Sequence, residues 1–524
     1  MKHVFRESLK IGILLLLFST SCSKKESINK TKFHPELKKV LEFYNKSNDT
    51  SKLKAAHFLI SNMDGLGTDD IQLFDETGQP INLYLPSYKN EKALKKAIDS
   101  LNIFYKTNFI ADIKNISSEQ LILYIEEAFQ AWENSPFHTN IEFEHFCEYL
   151  LPYRVNKEPL ENWRGHIRQK YNWALDSINR SKNLREIINL VNSELQSWFS
   201  FGKAHFKPDE SLSFSDLELC KKGDCEAMSN LTLFTMRALG IAVMKDFTPA
   251  WAAANGGHSW NSVYLETGEL CSFQGTEGNL MEDRPHLLFP FDTYGNLISD
   301  IDYRKSGKVY RNTYSIQKNS LVEIVKNKET IPPFFKKNNR FIDVTNEYMP
   351  VKNISLTLNT IPENNSYAYI CVFNDGKWKP IHYSEISKNY QVEFSNMGRD
   401  IVYLISYYQH GRCIPLTSPF FVPLNGPVEW LTPDRKQLQN LTTRKRSYNV
   451  FFDLPKFRIS PTNNYRLFVW EENQWIFLTG KKAFSDSLNF HKVPIGGLYQ
   501  LRLEGSDSRE RVFMCDENGN IIWM

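Results

Sequence analysis

One cysteine in the chain stands at a position that suits a nucleophile. Cys225 follows Gly223-Asp224 and opens a segment with apolar residues at helical spacing, which Gly240 ends as a natural helix stop. The repeating residues are Ala227, Leu231, Phe234 and Ala238. Because a helix start carries unpaired N–H groups and the positive end of the helix dipole, a thiolate is favoured there. We therefore expect Cys225 to have a lowered pKa and to act as a nucleophile.

A histidine that could serve as the base lies further along the chain. His258 follows Gly256-Gly257, and the alternating residues after it predict a strand with His258 at its head. We expect Trp260 and Asn261, on the same strand, to support the site by packing and by fixing the strand rather than by proton transfer.

The two stretches together resemble the catalytic core of the transglutaminase-like family, which has the papain-like cysteine peptidase fold. The matching residues are Gly223-Asp224-Cys225, with the helix that follows, and Gly257 to Val263. The likeness covers about residues 182–280, and the flanking segments are similar, more diffusely, to multidomain transglutaminase-like lipoproteins of bacteria. The resemblance implies that Cys225 is the nucleophile and that His258 takes its proton.

The resemblance also implies a third site residue, usually an Asp followed two residues later by Thr. Here Gln274-Gly275-Thr276 occupies that pattern, so Gln274 stands where the Asp is expected. A Gln carbonyl can hold the imidazole tautomer, but it cannot stabilise the imidazolium as a carboxylate does. Glu277 is the nearest acid, although on a strand it would point to the opposite face from Gln274 unless a bulge or turn at Gly275 reorients the chain. Gln274 is favoured by its position, and Glu277 stays a rival.

Other interpretations of these residues compete with the catalytic one. A cysteine before an apolar helix is often a packing residue. In an exported protein, a Cys220–Cys225 or Cys225–Cys271 disulfide would disable the site. The alternative function is an inactive transglutaminase-like scaffold whose β-sandwiches bind glycan or a partner protein, and the missing acid at Gln274 is its main support.

Helical patterns come first along the chain and β patterns come last. Apolar spacing predicts helices over Glu91 to Leu101, Ser118 to Trp132, Asn162 to Ile178, and from a cap at Ser181 to Trp198. Aromatic and β-branched residues predict strands over Tyr367 to Phe373, Ile401 to Tyr408 and Tyr465 to Trp470. Between strands, Asn374-Asp375-Gly376 predicts a short hairpin. Tyr367 to Trp378 resembles Tyr465 to Trp475, which favours two similar β-sandwiches in tandem.

The predicted fold class is α+β with several domains, because single hydrophobic cores stop growing near ~250–300 residues and this chain has 524. The predicted order is a helical N-terminal domain (34–165), a papain-like transglutaminase core with the Cys/His pair (166–310), and two C-terminal β-sandwich modules (311–435 and 436–524).

The start of the chain predicts export. Lys2, Arg6 and Lys10 precede the apolar run Ile11 to Phe18, which is typical of a signal peptide, here residues 1–22. Small residues lead to Cys22, so this segment resembles a bacterial lipobox, which implies that Cys22 is lipidated and followed by a tether (23–33). The competing interpretation is a conventional cleaved signal. We expect a protein of the cell envelope, anchored by lipid to a bacterial membrane, with the outer membrane favoured and a periplasmic or outward-facing position.

The remaining expectations concern partners and cofactors. Lys and Arg total 63 against 60 Asp and Glu, and the two signs are mixed, so no nucleic-acid partner is expected. The sequence has no phosphate loop and no metal-ligand histidine cluster, so we expect neither a cofactor nor a metal. The expected partners are a peptide, protein or other amide substrate and, through the lipid anchor, a membrane. Hydrolysis is favoured over transfer because ~55 M water competes with any amine unless the site excludes it.

Overall fold

The computed structural model of the chain describes residues 34–181, 183–205, 211–282, 284–291, 297, 304–360, 365–444, 459–506, 510–516 and 519–524. The predicted signal peptide, Cys22 and the tether lie outside these residues. Helix and strand occur in similar amounts, 30% and 34%, and the sheets are mainly antiparallel, which is compatible with a multidomain α+β chain. Among the described residues, no helix is both long enough and apolar enough to cross a membrane.

The N-terminal segment combines helices with a small sheet. Its helices are α1 (Pro35–Lys46), α2 (Thr50–Ser61), α3 (Glu91–Ser100), α4 (Asp112–Asn115), α5 (Ser118–Glu133) and α6 (Phe143–Tyr149). Its strands, in the order β2-β1-β3, are β1 (Gly67–Phe74), β2 (Pro80–Ile81) and β3 (Phe104–Ala111). The expectation of a helical segment therefore missed a sheet. That sheet forms because β1 and β3 pair along their whole length and Leu94 of α3 covers Ile71 and Leu73.

Five helices lead to the site. They are α7 (Trp163–Lys170), α8 (Asn172–Arg180), α9 (Leu184–Trp198), α10 (Phe214–Cys220) and α11 (Cys225–Ala238), and two short strands, β4 (Ser200–Phe201) and β5 (Lys222–Gly223), pair in parallel beside them. The helix expected over Asn162 to Ile178 is split at Tyr171. Asn183 caps α9 instead of Ser181, because its side-chain oxygen meets the Glu186 N–H at 3.2 Å, whereas Ser181 lies two residues too early.

The central sheet has five antiparallel strands in the order β10-β9-β6-β7-β8. They are β6 (Met244–Thr248), β7 (His258–Tyr264), β8 (Leu270–Phe273), β9 (Tyr310–Asn312) and β10 (Phe341–Asp343), with short helices α12 (Leu321–Ile324) and α13 (Pro333–Lys337) between the last two. Val263 of β7 packs with Leu231 and Phe234 of α11. Trp260, on the other face of β7, lies in one core with residues of α1, α2, α5 and α6.

The C-terminal third contains two units with the same strand pairing. The first has β11 (Val351–Thr357), β12 (Tyr367–Asn374), β13 (Lys377–Glu385), β14 (Gln391–Gly398), β15 (Ile401–Gln409), β16 (Arg412–Pro415), β17 (Phe420–Val422) and β18 (Glu429–Trp430). The second has β19 (Asp434–Arg444), β20 (Asn464–Glu471), β21 (Gln474–Lys482), β22 (Ser487–Ile495), β23 (Tyr499–Leu503), β24 (Val512–Cys515) and β25 (Ile521–Trp523). The pair β11–β14 with the sheet β13-β12-β15 corresponds to β19–β22 with β21-β20-β23.

The first unit also contains the predicted hairpin. Asn374 pairs with Lys377, and Asp375 (φ 50°) and Gly376 (φ 76°) form the two-residue loop. Positive φ at both loop residues is what a type I′ turn requires, so the hairpin prediction is confirmed. The two units meet through their aromatic residues, and the Trp378 and Trp470 rings lie edge to face with centroids 5.7 Å apart.

Candidate active site

Cys225 is the first residue of α11. Asp224 caps the helix, and its side chain accepts a hydrogen bond from the Ala227 N–H at 3.0 Å. A Cβ on Gly223 would lie only 2.3 Å from that of Ala227, so the glycine lets the chain pass close to the first turn. Cys225 is half-buried and Asp224 is exposed. The nucleophile predicted from the sequence therefore stands at a helix start and is partly accessible.

His258 is the first residue of β7 and is held by Gln274. The ring Nε2 lies 2.9 Å from Gln274 Oε1. Because an amide oxygen only accepts, Nε2 carries the proton and Nδ1 keeps its lone pair, which is the form that a general base needs. Among the described residues, the Gln274 side-chain NH2 has no hydrogen-bond partner.

A tight turn after β8 carries Gln274. The Gln274 carbonyl accepts from the Gly278 N–H at 2.8 Å, and Thr276 takes a φ of 62°, an unusual value for a β-branched residue. Asn192 of α9 stabilises this backbone, because its Oδ1 accepts the Thr276 N–H at 2.7 Å. A Cβ on Gly275 would lie 2.2 Å from Thr232 Oγ1, so the turn also packs closely on α11.

The turn separates the two rivals for the third site residue. Gln274 is 3% exposed and contacts His258, whereas Glu277 is exposed. Of the two side chains, the structure brings only Gln274 to the imidazole. The sequence argument left a turn at Gly275 open, and the structure has one: the strand ends at Phe273, and the turn sets the directions of the two side chains.

The Cys225 thiol lies beside Ser259 rather than in a hydrogen bond with the imidazole. The backbone N–H and the hydroxyl of Ser259 both act on the thiol. In the described part of the chain, no hydrogen bond joins the Cys225 sulfur to the His258 ring. Ser259 is 7% exposed, and its hydroxyl makes no hydrogen bond with the described residues.

The pKa of Cys225 is shifted in the opposite direction from the expectation. Burial raises the pKa of the Cys225 thiol above its ordinary value, and this effect outweighs the lowering effect of Ser259, while the charges of Asp224 and Glu226 raise the pKa further. Burial likewise lowers the pKa of His258 to about 4, with a contribution from the Arg304 charge that the Gln274 hydrogen bond opposes. The expected lowered thiol pKa was wrong, and the resting pair is a neutral thiol and a neutral imidazole.

Aromatic rings and a buried amide fix the strand that carries His258. The His258 ring lies 5.9 Å from the Trp251 ring and 6.0 Å from the Trp260 ring, centroid to centroid. Trp260 also donates its indole N–H to the Tyr348 hydroxyl at 3.1 Å. Asn261 donates to the Ser229 carbonyl of α11 at 3.2 Å and to the Met244 carbonyl of β6 at 3.3 Å. Trp260 and Asn261 are thus placed to pack the site and to tie its elements together.

A cavity of about 790 Å³ adjoins the start of α11. Its lining includes Asp224 and Glu226, the neighbours of Cys225, together with the exposed ring of Phe201. The Glu226 carboxylate is 3.3 Å from the Lys245 ammonium, which also contacts Asn230. Space for a sizeable substrate therefore exists next to the helix that presents the thiol.

The other cysteines do not disable the site. Cys225 is a free thiol in the structure, so it forms a disulfide with neither Cys220 nor Cys271. Burial raises the pKa of Cys271 to about 11, which makes it a poor nucleophile. Within the described ranges, no group of three or more His, Cys, Asp and Glu side chains could hold a metal ion.

Comparison with known proteins shows a distant structural similarity to a solved structure. No family model matches the chain, and no curated protein matches it. Among solved structures, the chain is similar to a transglutaminase from red sea bream, with 8% identity and a TM-score of 0.24 over 91% of this chain and 79% of that one. At that level of similarity, the function must be inferred from the residues and their geometry.

Several residues at the site were not predicted from the sequence. Ser259 lies at the thiol, Arg304 acts on the imidazole, and Asn192 holds the turn of Gln274. Ser259 had a usable signal, because it follows His258 directly. Asn192 and Arg304 carried no signal, since each is far from the site in sequence and reaches it only through the fold.

Proposed function

We propose that this protein is an exported, lipid-anchored, transglutaminase-like enzyme of the bacterial cell envelope that cleaves or transfers at an amide bond. The hydrogen bond from His258 Nε2 to Gln274 Oε1 carries the proposal, because it leaves Nδ1 as the basic nitrogen one residue away from the Ser259 contact of Cys225. The charged N-terminal segment, the apolar run and Cys22 support the export and anchoring parts.

The reaction starts from the neutral pair. His258 Nδ1 removes the thiol proton as the Cys225 sulfur attacks the carbonyl carbon of a peptide-type amide, forming an S–C bond. The imidazolium then gives this proton to the departing nitrogen as the C–N bond breaks, which leaves a thioester on Cys225. His258 then deprotonates water or an amine as it attacks the thioester carbonyl, forming a C–O or C–N bond. The C–S bond breaks, the imidazolium gives its proton to the Cys225 sulfur, and the acid or the new amide is released.

Trapping the thioester tests this proposal. The purified protein is mixed with a set of peptide amides, quenched in acid and analysed by intact mass and peptide mapping. We expect an acyl adduct on Cys225 that is absent from Cys225→Ala and strongly reduced in His258→Gln. Cys271→Ala is the matched control, because it also removes a thiol whose pKa is raised by burial, but that thiol contacts Arg185 instead of Ser259. An adduct that persists in Cys225→Ala would contradict the assignment.

An inactive scaffold is the second candidate, and one observation favours it. Burial opposes charge on both members of the pair, and Gln274 supplies no carboxylate to stabilise an imidazolium. Under this alternative, no peptide amide acylates Cys225, and His258→Gln leaves the reactivity of the thiol unchanged. The two candidates therefore give opposite results in the same experiment.

A further inference from the structure

The connection between β6 and β7 delivers His258 and is built around a side chain from the first β-sandwich. The Trp251 N–H donates to the Gly256 carbonyl at 3.0 Å, which closes the loop on itself. Inside it, Asn374 Nδ2 lies 2.9 Å from each of the carbonyl oxygens of Trp251, Ala254 and Gly256. Asn374 Oδ1 accepts the Gly256 N–H at 3.0 Å, and the residue is 0% exposed. One side chain thus makes four hydrogen bonds with backbone groups of the loop.

The second β-sandwich reaches the same loop. Arg511 donates to the Ala252 carbonyl and to the Phe373 carbonyl next to Asn374, and its Nε donates to the Met524 carbonyl at 2.9 Å. Arg511 is 4% exposed. The loop is therefore held from both C-terminal units, and its last residues lead directly into the strand of His258.

The internal repeat shows that the hairpin itself does not require Asn374. Asn374 ends β12 and pairs with Lys377, and the corresponding residue Glu471 ends β20 and pairs with Gln474. Glu471 instead makes an ion pair with Arg435 at the surface. The equivalent hairpin position is thus a carboxylate at the surface in the second unit, and in the first unit it is an amide that contacts the loop before His258.

We propose that Asn374 is a positioning residue for His258, and that the first β-sandwich braces the β6–β7 loop so that the imidazole is held against Gln274. This inference rests on the proposed function, in which His258 is the base. It gives the sandwich a role inside the site rather than as a separate binding module. Asn374 acts only through the loop and does not contact the reacting atoms.

Three variants of the full chain test the proposal: Asn374→Ala, Asn374→Gln, which keeps the amide but moves it by one methylene, and the matched control Glu471→Ala. The readouts are hydrogen exchange of the loop amides and the tautomer of His258, measured by ¹⁵N NMR. Both Asn374 variants should exchange at least tenfold faster in the loop and lose the single Nε2–H tautomer, with exchange of the β15 amides unchanged. Glu471→Ala should match the wild type.

A wild-type tautomer and wild-type loop exchange in both Asn374 variants would overturn the proposal. So would failure of both variants to fold, because Asn374 would then be required for folding rather than for positioning. Neither readout needs a reaction, so the two proposals can fail separately. If the Asn374 variants change the loop exchange and the His258 tautomer but Cys225 never forms an adduct, the positioning role of Asn374 is supported and the enzymatic function is contradicted.

Discussion

Gln274→Glu tests how the third site residue controls the imidazole. The change replaces an amide NH2 that has no hydrogen-bond partner among the described residues with an oxygen, so it removes no bond and alters little volume. Gln274 Oε1, which accepts from His258 at 2.9 Å, is retained as a carboxylate oxygen. The variant therefore adds a negative charge next to the ring and changes little else.

The size of the expected rise in the pKa of His258 follows from the distance between the new carboxylate and the imidazole. Opposite charges at about 4 Å interact by about 4 kcal/mol at an effective dielectric constant of 20, equivalent to ~3 pKa units. Desolvation of the new carboxylate opposes part of this, although the nearby Arg304 charge favours a carboxylate there. We expect the pKa of His258 to rise by roughly 2 units from its value of about 4. An imidazolium would then be accessible near neutral pH, so turnover should rise.

The assay is an NMR titration of the His258 ring in the wild type and in Gln274→Glu, with His258→Gln used to assign the signal. Glu277→Gln is the matched control, because Glu277 lies in the same turn but is exposed and does not contact the ring. Its titration should superimpose on the wild type. An unchanged His258 pKa in Gln274→Glu, or an equal shift in Glu277→Gln, would refute the reasoning.

Three further predictions follow from the same structure and sequence. Arg304→Gln should raise the pKa of His258 by up to about one unit, since the Arg304 charge lowers it; a titration with no rise would contradict this. Burial lowers the pKa of His145, His258 and His286 to about 4, so the unfolded state binds protons first as pH falls below ~6.5. Urea unfolding should then show stability that is full above pH ~6.5 and falls by about 1.4 kcal/mol per pH unit per histidine towards pH 4; a flat profile would contradict this. Cys22→Ser should release the protein from the membrane fraction or block its maturation. An unchanged distribution between the membrane and soluble fractions would contradict the proposed lipid anchor.

Features set by short stretches of sequence could be predicted. The start of α11 at Cys225, its stop at Gly240 and the turn after Asn374 depend on a few neighbouring residues, and each lies where the pattern put it. The contact of Gln274 with His258 was implied by the family resemblance, and the structure has it because β7 and β8 pair as a hairpin. The predicted domain boundaries stay predictions.

Features set by burial and distant contacts could not be predicted. A helix start favours a thiolate, but the sequence does not show how much water Cys225 loses, and that loss raises its pKa. Pairing of β1 with β3 spans a whole helix, so local periodicity missed it. The contact of Asn374 with the loop before His258 links two domains, and its sequence signal was only a turn residue.

The most direct test of the central claim is the pH dependence of Cys225 alkylation by iodoacetamide, in the wild type and in His258→Gln. Burial raises the pKa of the Cys225 thiol above its ordinary value, so the rate of reaction through free thiolate alone must rise about tenfold per pH unit from pH 6 to 8. If His258 is the base, it is already neutral above its pKa of about 4, and the wild-type rate should be nearly level from pH 6 to 8. His258→Gln should then be at least tenfold slower at pH 7 and regain the steep slope. Equal rates and equal steep slopes in the two proteins would contradict the pairing of Cys225 with His258.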